Sequence, residues 1–294
     1  MPKSGPLGLL RELMALAKPG VSVLVLTTTG GGLWMAPGHL TYLKLASALI
    51  GTILVVAAAN TLNCYLERES DKYMARTKNR PLPAGRLDPN IALVHGLILA
   101  AISVPALMYL VNFTTGALAL LALISYVCVY TPLKQIAPVA LLVGSIPGAM
   151  PPLMGWTAVT GSIEWPGLVL FGILYIWQIP HFLAIGTYRR AEYERAGMRT
   201  LPIVRGVYVT KWHAVFWSAA LIPVSLALVP LGVAGMLYLC IASVLGGIFL
   251  LYAIRGFWAK VDETWARSYF LYSLVYLTTL FVALLLDAGP SHVA

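Results

Sequence analysis

Three side chains with metal-ligand oxygens, Asn63, Glu67 and Asp71, follow one another at four-residue intervals where a long apolar run meets a basic loop. On an α-helix these positions drift only roughly 80° around the axis while climbing about 12 Å, so they share a face. Mg²⁺ takes oxygen ligands and commonly combines one or two carboxylates with substrate phosphate oxygens and water. The face is therefore a candidate Mg²⁺ and diphosphate site. Asn63 is its strongest indication, because an amide in an apolar run is costly without a partner.

A run of basic residues follows this candidate site and consists of Lys72, Arg76, Lys78 and Arg80. Arginine binds phosphate oxygens through a bidentate fork, and lysine binds them as a point charge. These side chains can therefore bind a diphosphate directly. A solvated helix end, whose acids and bases pair at helical spacing, explains the same charges, because basic runs beside membranes are common.

The composition of the chain is that of a polytopic membrane protein. Hydrophobic residues make up 59% of the 294 residues, charged residues make up 11%, and the mean hydropathy is +0.82. We predict an all-α fold with nine transmembrane helices. The predicted spans are 19–37, 44–66, 91–111, 115–132, 137–157, 166–188, 212–232, 234–254 and 266–286.

The distribution of basic residues sets the orientation of these spans. In the nine-span scheme all but one of the 20 Lys and Arg residues lie on one side of the membrane, and the exception is Lys44. The positive-inside rule then places the N-terminus in the cytoplasm and the C-terminus outside. The net charge of +9 belongs to that one face and indicates anionic lipids and anionic substrates, rather than nucleic acid, as partners.

We expect a single integral-membrane domain over 1–294. Residues 1–18 are predicted to form an amphipathic cytoplasmic lead-in. Two cytoplasmic loops, 67–90 and 189–211, carry most of the basic residues on their side of the membrane. These loops are the predicted working face.

Polar residues also interrupt the sixth predicted span, where Gln178 and His181 lie in an apolar run and Glu192 follows its end. Intramembrane polar groups are functional candidates and usually face the bundle interior. Gln178 can alternatively form an interhelical hydrogen bond. His181 is either a substrate-facing ligand, a proton shuttle or a packed imidazole.

Two further features lie between these segments. Residues 144–156 contain three prolines and several small residues, a pattern that predicts a kinked helix or a close helix approach beside a cavity. Lys134 is a lone cation at the end of the fourth span. It is either a topogenic charge or part of a phosphate pocket.

Four blocks of sequence, in this order, carry a resemblance to a known family: NCYLERESDKYMARTKNRPLP, YTPLK, PGAMPPLMGW, and WQIPHF with the following YRRAEYERAGMRTLPIV. They resemble the protohaem IX farnesyltransferases (haem O synthases), a branch of the UbiA superfamily of intramembrane prenyltransferases. The resemblance runs from about Lys18 to past the loop 189–211 that follows the sixth span. It implies a nine-helix bundle around a central cavity, with two acidic motifs at the cytoplasmic mouth that bind diphosphate through Mg²⁺.

The resemblance also assigns roles to individual residues. It implies metal-binding and catalytic roles for Asn63, Glu67 and Asp71, a metal-binding role for Glu192, diphosphate-binding roles for Arg76, Lys78 and Arg80, and a catalytic and diphosphate-binding role for Lys134. For haem, we expect His181 to bind the iron and Arg189 and Arg190 to bind the propionates. The chain departs from the family pattern at Glu67, where Asp is usual, at Ala191, which replaces an acid, and at Gln135, which replaces a base. The number of metal ions is therefore left open.

The implied reaction is the Mg²⁺-dependent transfer of a farnesyl group from farnesyl diphosphate to a vinyl group of haem B, with addition of water to give haem O. The implied setting is the bacterial inner membrane, with a haem A synthase or an oxidase-assembly protein as a partner.

Two rival interpretations are a prenyltransferase with an aromatic, quinone-precursor acceptor and a transporter without chemistry. A transporter would not explain why acids and bases cluster on one side next to Asn63.

Overall fold

The computed structural model describes residues 5–287, and within that range the chain forms helices and no β-strand. The prediction of an all-α fold is confirmed. The α-helices in chain order are α1 (Pro6–Leu16), α2 (Pro19–Met35), α3 (Tyr42–Leu66), α4 (Pro89–Leu110), α5 (Phe113–Ile124), α6 (Thr131–Leu133), α7 (Ala140–Thr160), α8 (Trp165–Tyr188), α9 (Arg190–Arg195), α10 (Leu201–Val204), α11 (Gly206–Leu226), α12 (Met236–Arg255) and α13 (Asp262–Asp287). A π-helix at Ser125–Tyr130 joins α5 to α6, and short 3₁₀-helices lie at Ser70–Tyr73 and Gly256–Trp258.

Each predicted span overlaps a long helical segment of the described chain. Six of these segments are long and apolar enough to cross a membrane, and they are Tyr42–Leu66, Pro89–Leu110, Phe113–Leu133, Trp165–Tyr188, Met236–Trp258 and Asp262–Asp287. Large hydrophobic side chains are exposed on their outer surfaces, among them Ile102, Leu251 and Val275. A soluble protein rarely exposes so much apolar surface, so these faces indicate contact with lipid. The chain is an integral membrane protein.

The predicted bounds are least accurate at the seventh span, expected at 212–232. Helix α11 begins at Gly206 instead and ends at Leu226. The predicted span begins after Lys211, which leaves this charged residue in the loop. In the structure Lys211 is buried within α11, and its ammonium lies 2.6 Å from a carboxylate oxygen of Asp262. Because that ion pair satisfies the charge, the helix extends further into the basic loop than hydropathy indicates.

Local signals explain where several helices begin. The Asp88 side chain accepts a hydrogen bond from the backbone N–H of Asn90 at 2.7 Å, and Pro89 occupies the first helical position of α4. The Asn112 side chain accepts from the backbone N–H of Thr115 at 2.8 Å at the start of α5. Both are N-caps that satisfy backbone donors left free at a helix start.

The core divides into two clusters that meet at α7. Helices α3, α4 and α5 pack together with one side of α7, and α8 packs with α11, α12 and α13 on the other. Two buried hydroxyl pairs join α11 to α13: Ser218 with Tyr269 at 2.6 Å, and Ser225 with Tyr276 at 2.8 Å. These pairs satisfy polar atoms that would otherwise be costly in an apolar interior.

The proline-rich segment at 144–156 lies in α7, which remains helical from Ala140 to Thr160. Here α2 and α7 approach closely. A Cβ atom on Gly32 would collide with the carbonyl of Pro152, and one on Gly155 would collide with the carbonyl of Thr29. The predicted close helix approach is confirmed.

We expect Gly32→Ala to lower the free energy of unfolding by about 1–3 kcal/mol, the usual range for overpacking, because a backbone carbonyl cannot move aside cheaply. Gly30→Ala is the matched control, since it lies in the same helix and a Cβ there meets nothing within 4 Å. Thermal unfolding of both variants in detergent measures the difference. Equal unfolding temperatures for the two variants would contradict the close approach.

Candidate functional site

The first acidic segment lies at the end of α3, and its three predicted ligands are all buried. Asn63, Glu67 and Asp71 are 2%, 3% and 0% exposed. Helix α3 ends at Leu66, as the predicted span 44–66 does, and Asp71 lies beyond it in the 3₁₀-helix Ser70–Tyr73, so the three residues do not lie on one regular α-helix. Backbone hydrogen bonds from Glu67 N to Asn63 O (2.9 Å) and from Asp71 N to Glu67 O (2.8 Å) nevertheless keep helical spacing between them.

Asn63 is held from two sides by residues distant in sequence. Its Nδ2 donates to Thr131 Oγ1 at 3.1 Å, and its Oδ1 accepts from Lys18 Nζ at 3.3 Å. Thr131 follows the π-helix and itself donates to the carbonyl of Tyr126 at 2.8 Å. A π-helix is rare and is frequent at functional sites. Here it positions the Thr131 hydroxyl against the Asn63 amide.

Each predicted acid is paired with a cation. Lys134 Nζ contacts Glu67 Oε1. Arg80 Nη1 donates to Asp71 Oδ2 at 2.7 Å. These pairs satisfy carboxylates that would be unstable alone in a low-dielectric interior.

The acid of the second motif is also paired with a cation, because Arg189 Nη1 donates to Glu192 Oε2 at 3.1 Å. The hydrogen bond from Arg189 to Tyr188, helped by Glu192, raises the pKa of the Arg189 guanidinium and keeps it charged. Burial alone would lower the pKa of Lys134, but Tyr130 and Glu67 outweigh burial, so the pKa lies above the usual lysine value. Both cations are therefore charged near neutral pH.

Three buried carboxylate oxygens at these motifs lack a hydrogen bond within the described range, and one of them, Glu67 Oε1, contacts the Lys134 ammonium. The other two belong to acids whose second oxygen is paired with an arginine. They are Asp71 Oδ1 and Glu192 Oε1, and both are buried. Oxygens of this kind are the ligands that Mg²⁺ prefers, so the donor set fits a magnesium ion. Across residues 5–287 no three His, Cys, Asp or Glu side chains converge on one point. Magnesium bound here would therefore need phosphate oxygens and water to complete its coordination.

The two acidic loops contact each other. Met74 of the first loop packs in one buried cluster with Tyr193, Ala196 and Met198 of the second. The backbone N–H of Arg199 donates to the carbonyl of Lys134 at 3.2 Å, which attaches the second loop to the end of α6. We call this region, residues 67–88 and 189–205 with Lys134, the charged end of the bundle.

The remaining predicted diphosphate ligands are more exposed. Arg76 and Lys78 are exposed, whereas Arg80 is partly buried. Burial raises the pKa of Tyr193, and the charge of Arg76 opposes that rise. Arg190, predicted to bind a propionate, is also exposed.

The polar residues of α8 have different surroundings. Gln178 Nε2 donates to the carbonyls of Leu174 (3.0 Å) and of Ser145 in α7 (3.4 Å), so the interhelical interpretation of Gln178 is confirmed. His181 stacks against Trp177 with ring centroids 4.7 Å apart. Its Nδ1 lies 2.7 Å from Ser273 Oγ.

The tautomer of His181 follows from the partners of Ser273. Ser273 Oγ donates its one hydrogen to the carbonyl of Phe270 at 2.6 Å. It must therefore accept from His181 Nδ1–H. The Nε2 atom then carries the lone pair, which makes it the ring atom that can accept a hydrogen or bind a metal.

Two residues of the site, Lys18 and Thr131, are not predicted from residue type and spacing. Lys18 precedes an apolar run, where a topogenic charge explains a lysine equally well. Thr131 lies in the YTPLK block but carries no charge. For Thr131 the available signal was its position in the YTPLK block, and for Lys18 it was the start of the resembling region, which begins at about Lys18.

Comparison with known proteins supplies the family. The model of the UbiA prenyltransferase family matches residues 24–275. The chain belongs to the UbiA prenyltransferase family. A "Protoheme IX farnesyltransferase" of Myxococcus xanthus is 49% identical over 279 residues, which cover 95% of each chain. A protein of the same name from Anaeromyxobacter dehalogenans is 50% identical and covers 96% of this chain and 95% of its own length.

Two solved structures share the fold at low sequence identity. A digeranylgeranylglyceryl phosphate synthase has a TM-score of 0.82 at 16% identity, over 95% of this chain and 98% of its own. A UbiA homologue from Archaeoglobus fulgidus, bound to GPP and Mg²⁺, has a TM-score of 0.63 at 14% identity, over 93% and 99% of the two chains. At this identity the likeness supports the fold alone.

We expect the Glu67 and Lys134 side chains, 4% and 17% exposed, to be strongly coupled. Glu67→Gln and Lys134→Met should each cost about 3–5 kcal/mol, because each leaves a buried charge unpaired. The double variant should be less destabilised than the sum of the two. Denaturant unfolding of all four proteins gives the coupling free energy.

The exposed pair Glu69 and Lys72 serves as the control for this cycle. Its side chains are 70% and 49% exposed, so solvent screens the attraction and we expect weak coupling. The coupling free energy between Glu67 and Lys134 should exceed that between Glu69 and Lys72. Equal coupling free energies would contradict the burial of the Glu67–Lys134 ion pair.

Proposed function

We propose that this protein transfers a farnesyl group from farnesyl diphosphate to a vinyl group of haem B, with Mg²⁺, and that water completes the reaction to give haem O. The relatives named as protoheme IX farnesyltransferases, at up to 50% identity over nearly the whole chain, support the substrates. The observation that carries the chemistry is the set of buried acid and base pairs at the charged end, with two carboxylate oxygens left unpartnered.

The first step separates charge, and the charged end is suited to it. The bond between farnesyl C1 and its diphosphate oxygen breaks, and the electron pair leaves with the diphosphate. Arg80 and Lys134 are held in place by Asp71 and Glu67, so they can stabilise the developing negative charge without reorganising. Arg76 and Lys78 add exposed donors beside them.

Magnesium would be held by Asn63, Glu67, Asp71 and Glu192, and when bound it neutralises charge on the diphosphate. A UbiA homologue solved with GPP and Mg²⁺ supports magnesium as the metal. Lys134 pairs with one of these acids, so it would act on the diphosphate beside the metal rather than far from it.

The second step forms a carbon–carbon bond. The vinyl π electrons of haem B attack C1 of the farnesyl group, and water then adds to the resulting cation and loses a proton to solvent. The apolar core clusters next to the charged end exclude bulk water, so the allylic cation is shielded until the acceptor attacks it.

For the haem acceptor we propose a site on α8. His181 is partly exposed, and its Nε2 lone pair is suited to bind the iron. Arg190, about two and a half helical turns further along the chain, is exposed and can bind a propionate. Arg189 can bind the second propionate of haem. Because Arg189 pairs with Glu192, this contact would link haem binding to the second acidic motif.

We also propose that all nine long helical segments span the bacterial inner membrane as one domain around a central cavity, with the N-terminus and both acidic loops in the cytoplasm. The one-sided distribution of the 20 Lys and Arg residues supports this orientation. A haem A synthase or an oxidase-assembly protein would receive the product.

Purified protein, mixed with haem B, farnesyl diphosphate and Mg²⁺, should release diphosphate and form an alkylated haem. We expect Asp71→Asn to lower kcat at least about a hundredfold, the loss typical of removing one preorganised electrostatic contact. Asp88→Asn is the control acid, because it lies in the same loop and asparagine caps a helix equally well. In a parallel mixture that also contains a hydroxybenzoate, unchanged haem alongside a prenylated benzoate would overturn the haem assignment in favour of an aromatic acceptor. No diphosphate release in either mixture would favour a transporter.

The proposed orientation predicts which loops are accessible from outside the cell. In a background with Cys128 and Cys240 replaced by serine, Lys78→Cys should resist a membrane-impermeant maleimide in intact spheroplasts, and His39→Cys should react. Both positions are exposed on the protein, so accessibility depends on the side of the membrane. Permeabilised cells provide the control, where both should react. The reverse labelling pattern would contradict the orientation.

A further inference from the structure

Lys18 has an unusual backbone conformation. It joins α1 to α2 with φ 51° and ψ 72°, and among the described residues other than glycine no other has a positive φ. A residue with a side chain adopts this left-handed conformation at a cost, and such strain persists only where the surroundings hold it. Strain of this kind is concentrated at functional sites.

The surroundings of Lys18 hold its backbone on both sides. Leu16 is fully buried in a cluster with Cys64, Leu82, Leu87 and Ala92, so the end of α1 is anchored against α3 and the first loop. The carbonyl of Ala17 accepts from Asn60 Nδ2 at 3.3 Å.

An ion pair and a proline complete this anchoring. Arg86 donates to both carboxylate oxygens of Glu12, at 2.8 and 3.3 Å, so α1 is also tied to the first acidic loop. Pro19, with its fixed φ, begins α2 immediately after Lys18. The left-handed turn therefore directs the Lys18 side chain toward Asn63.

The charge of Lys18 distinguishes it from the other cations of the site. Lys134, Arg80 and Arg189 each contact a carboxylate. Lys18 makes no ion pair in residues 5–287, and its ammonium donates only to the neutral Asn63 Oδ1.

An ammonium group has three N–H donors, and Asn63 accepts from one of them. A partly buried cation without an anion is unfavourable unless a ligand supplies the anion. Asn63, the partner of Lys18, lies one helical turn before Glu67, and Glu67 pairs with Lys134, one of the cations proposed to hold the diphosphate. The missing anion is therefore one that would bind among these residues.

We propose that Lys18 is a substrate-contacting residue, which donates from its ammonium directly to a phosphate oxygen of the prenyl diphosphate. This inference rests on the proposed function, because it needs a diphosphate at the charged end. A different role, in which Lys18 only orients Asn63, would act on metal affinity instead. The two roles are separable by measurement.

The test is the binding of inorganic pyrophosphate to the purified full chain by calorimetry, at saturating and at limiting Mg²⁺. At saturating Mg²⁺ we expect Lys18→Met to weaken pyrophosphate binding at least about tenfold, the loss expected for one charge-assisted hydrogen bond. Lys18→Arg keeps the charge and should restore most of the affinity. Lys44→Met, an exposed lysine at the start of α3, should bind as the wild type does.

Each outcome decides between the alternatives. Wild-type affinity of Lys18→Met at saturating Mg²⁺, with only a higher Mg²⁺ requirement, overturns the contact and leaves a positioning role. If the wild-type protein itself does not bind pyrophosphate, the proposed function fails together with the inference. If Lys18→Met does not fold, Lys18→Gly replaces it, because glycine adopts the same backbone conformation without strain.

Discussion

Charge is stable in an apolar helix bundle only where it is paired, and the rest of this structure depends on the pairs at the charged end. Glu67 with Lys134 joins the end of α3 to the end of α6. Asp71 with Arg80 closes the first loop on itself. These pairs preserve both signs of charge beside an apolar interior, where isolated ions would be expelled or neutralised. An anionic substrate can then find cations already in place.

The regular helices supply the scaffold, and departures from regular helix supply the site. Helix α3 ends at Leu66, so Asp71 reaches its position through a 3₁₀-helix. A π-helix at Ser125–Tyr130 presents Thr131 to Asn63. Lys18 reaches the same amide through a left-handed turn. Each departure lies at one end of the bundle, where the chain enters or leaves the apolar region and backbone groups can find other partners.

The sequence predicted the helices and the acids for different physical reasons. Long apolar runs must form helices in a membrane, so the fold class followed from hydropathy. Asn63, Glu67 and Asp71 keep a helical arrangement beyond the end of α3, because backbone hydrogen bonds between residues four apart continue through Glu67 to Asp71. Hydropathy could not predict that α11 extends past Lys211, since that depends on a partner far away in the chain.

The roles of Lys18 and Thr131 could not be derived from spacing, because both contact Asn63 across large sequence separations. A lysine before an apolar run is explained equally well as a topogenic charge. For Gln178 the sequence left two interpretations, and the hydrogen bond to Ser145 decides between them. The roles of His181, Arg189 and Arg190 toward haem stay predictions.

The central claim is that the paired acids and bases at the charged end bind a Mg²⁺ and diphosphate headgroup. A structure of the protein with Mg²⁺ and the non-reactive analogue farnesyl thiodiphosphate tests it most directly. We predict Asp71 and Asn63 oxygens at the metal, and Arg80 and Lys134 donating to the diphosphate. A diphosphate bound elsewhere, with Glu67 still bound only to Lys134 and Asp71 only to Arg80, would contradict the account.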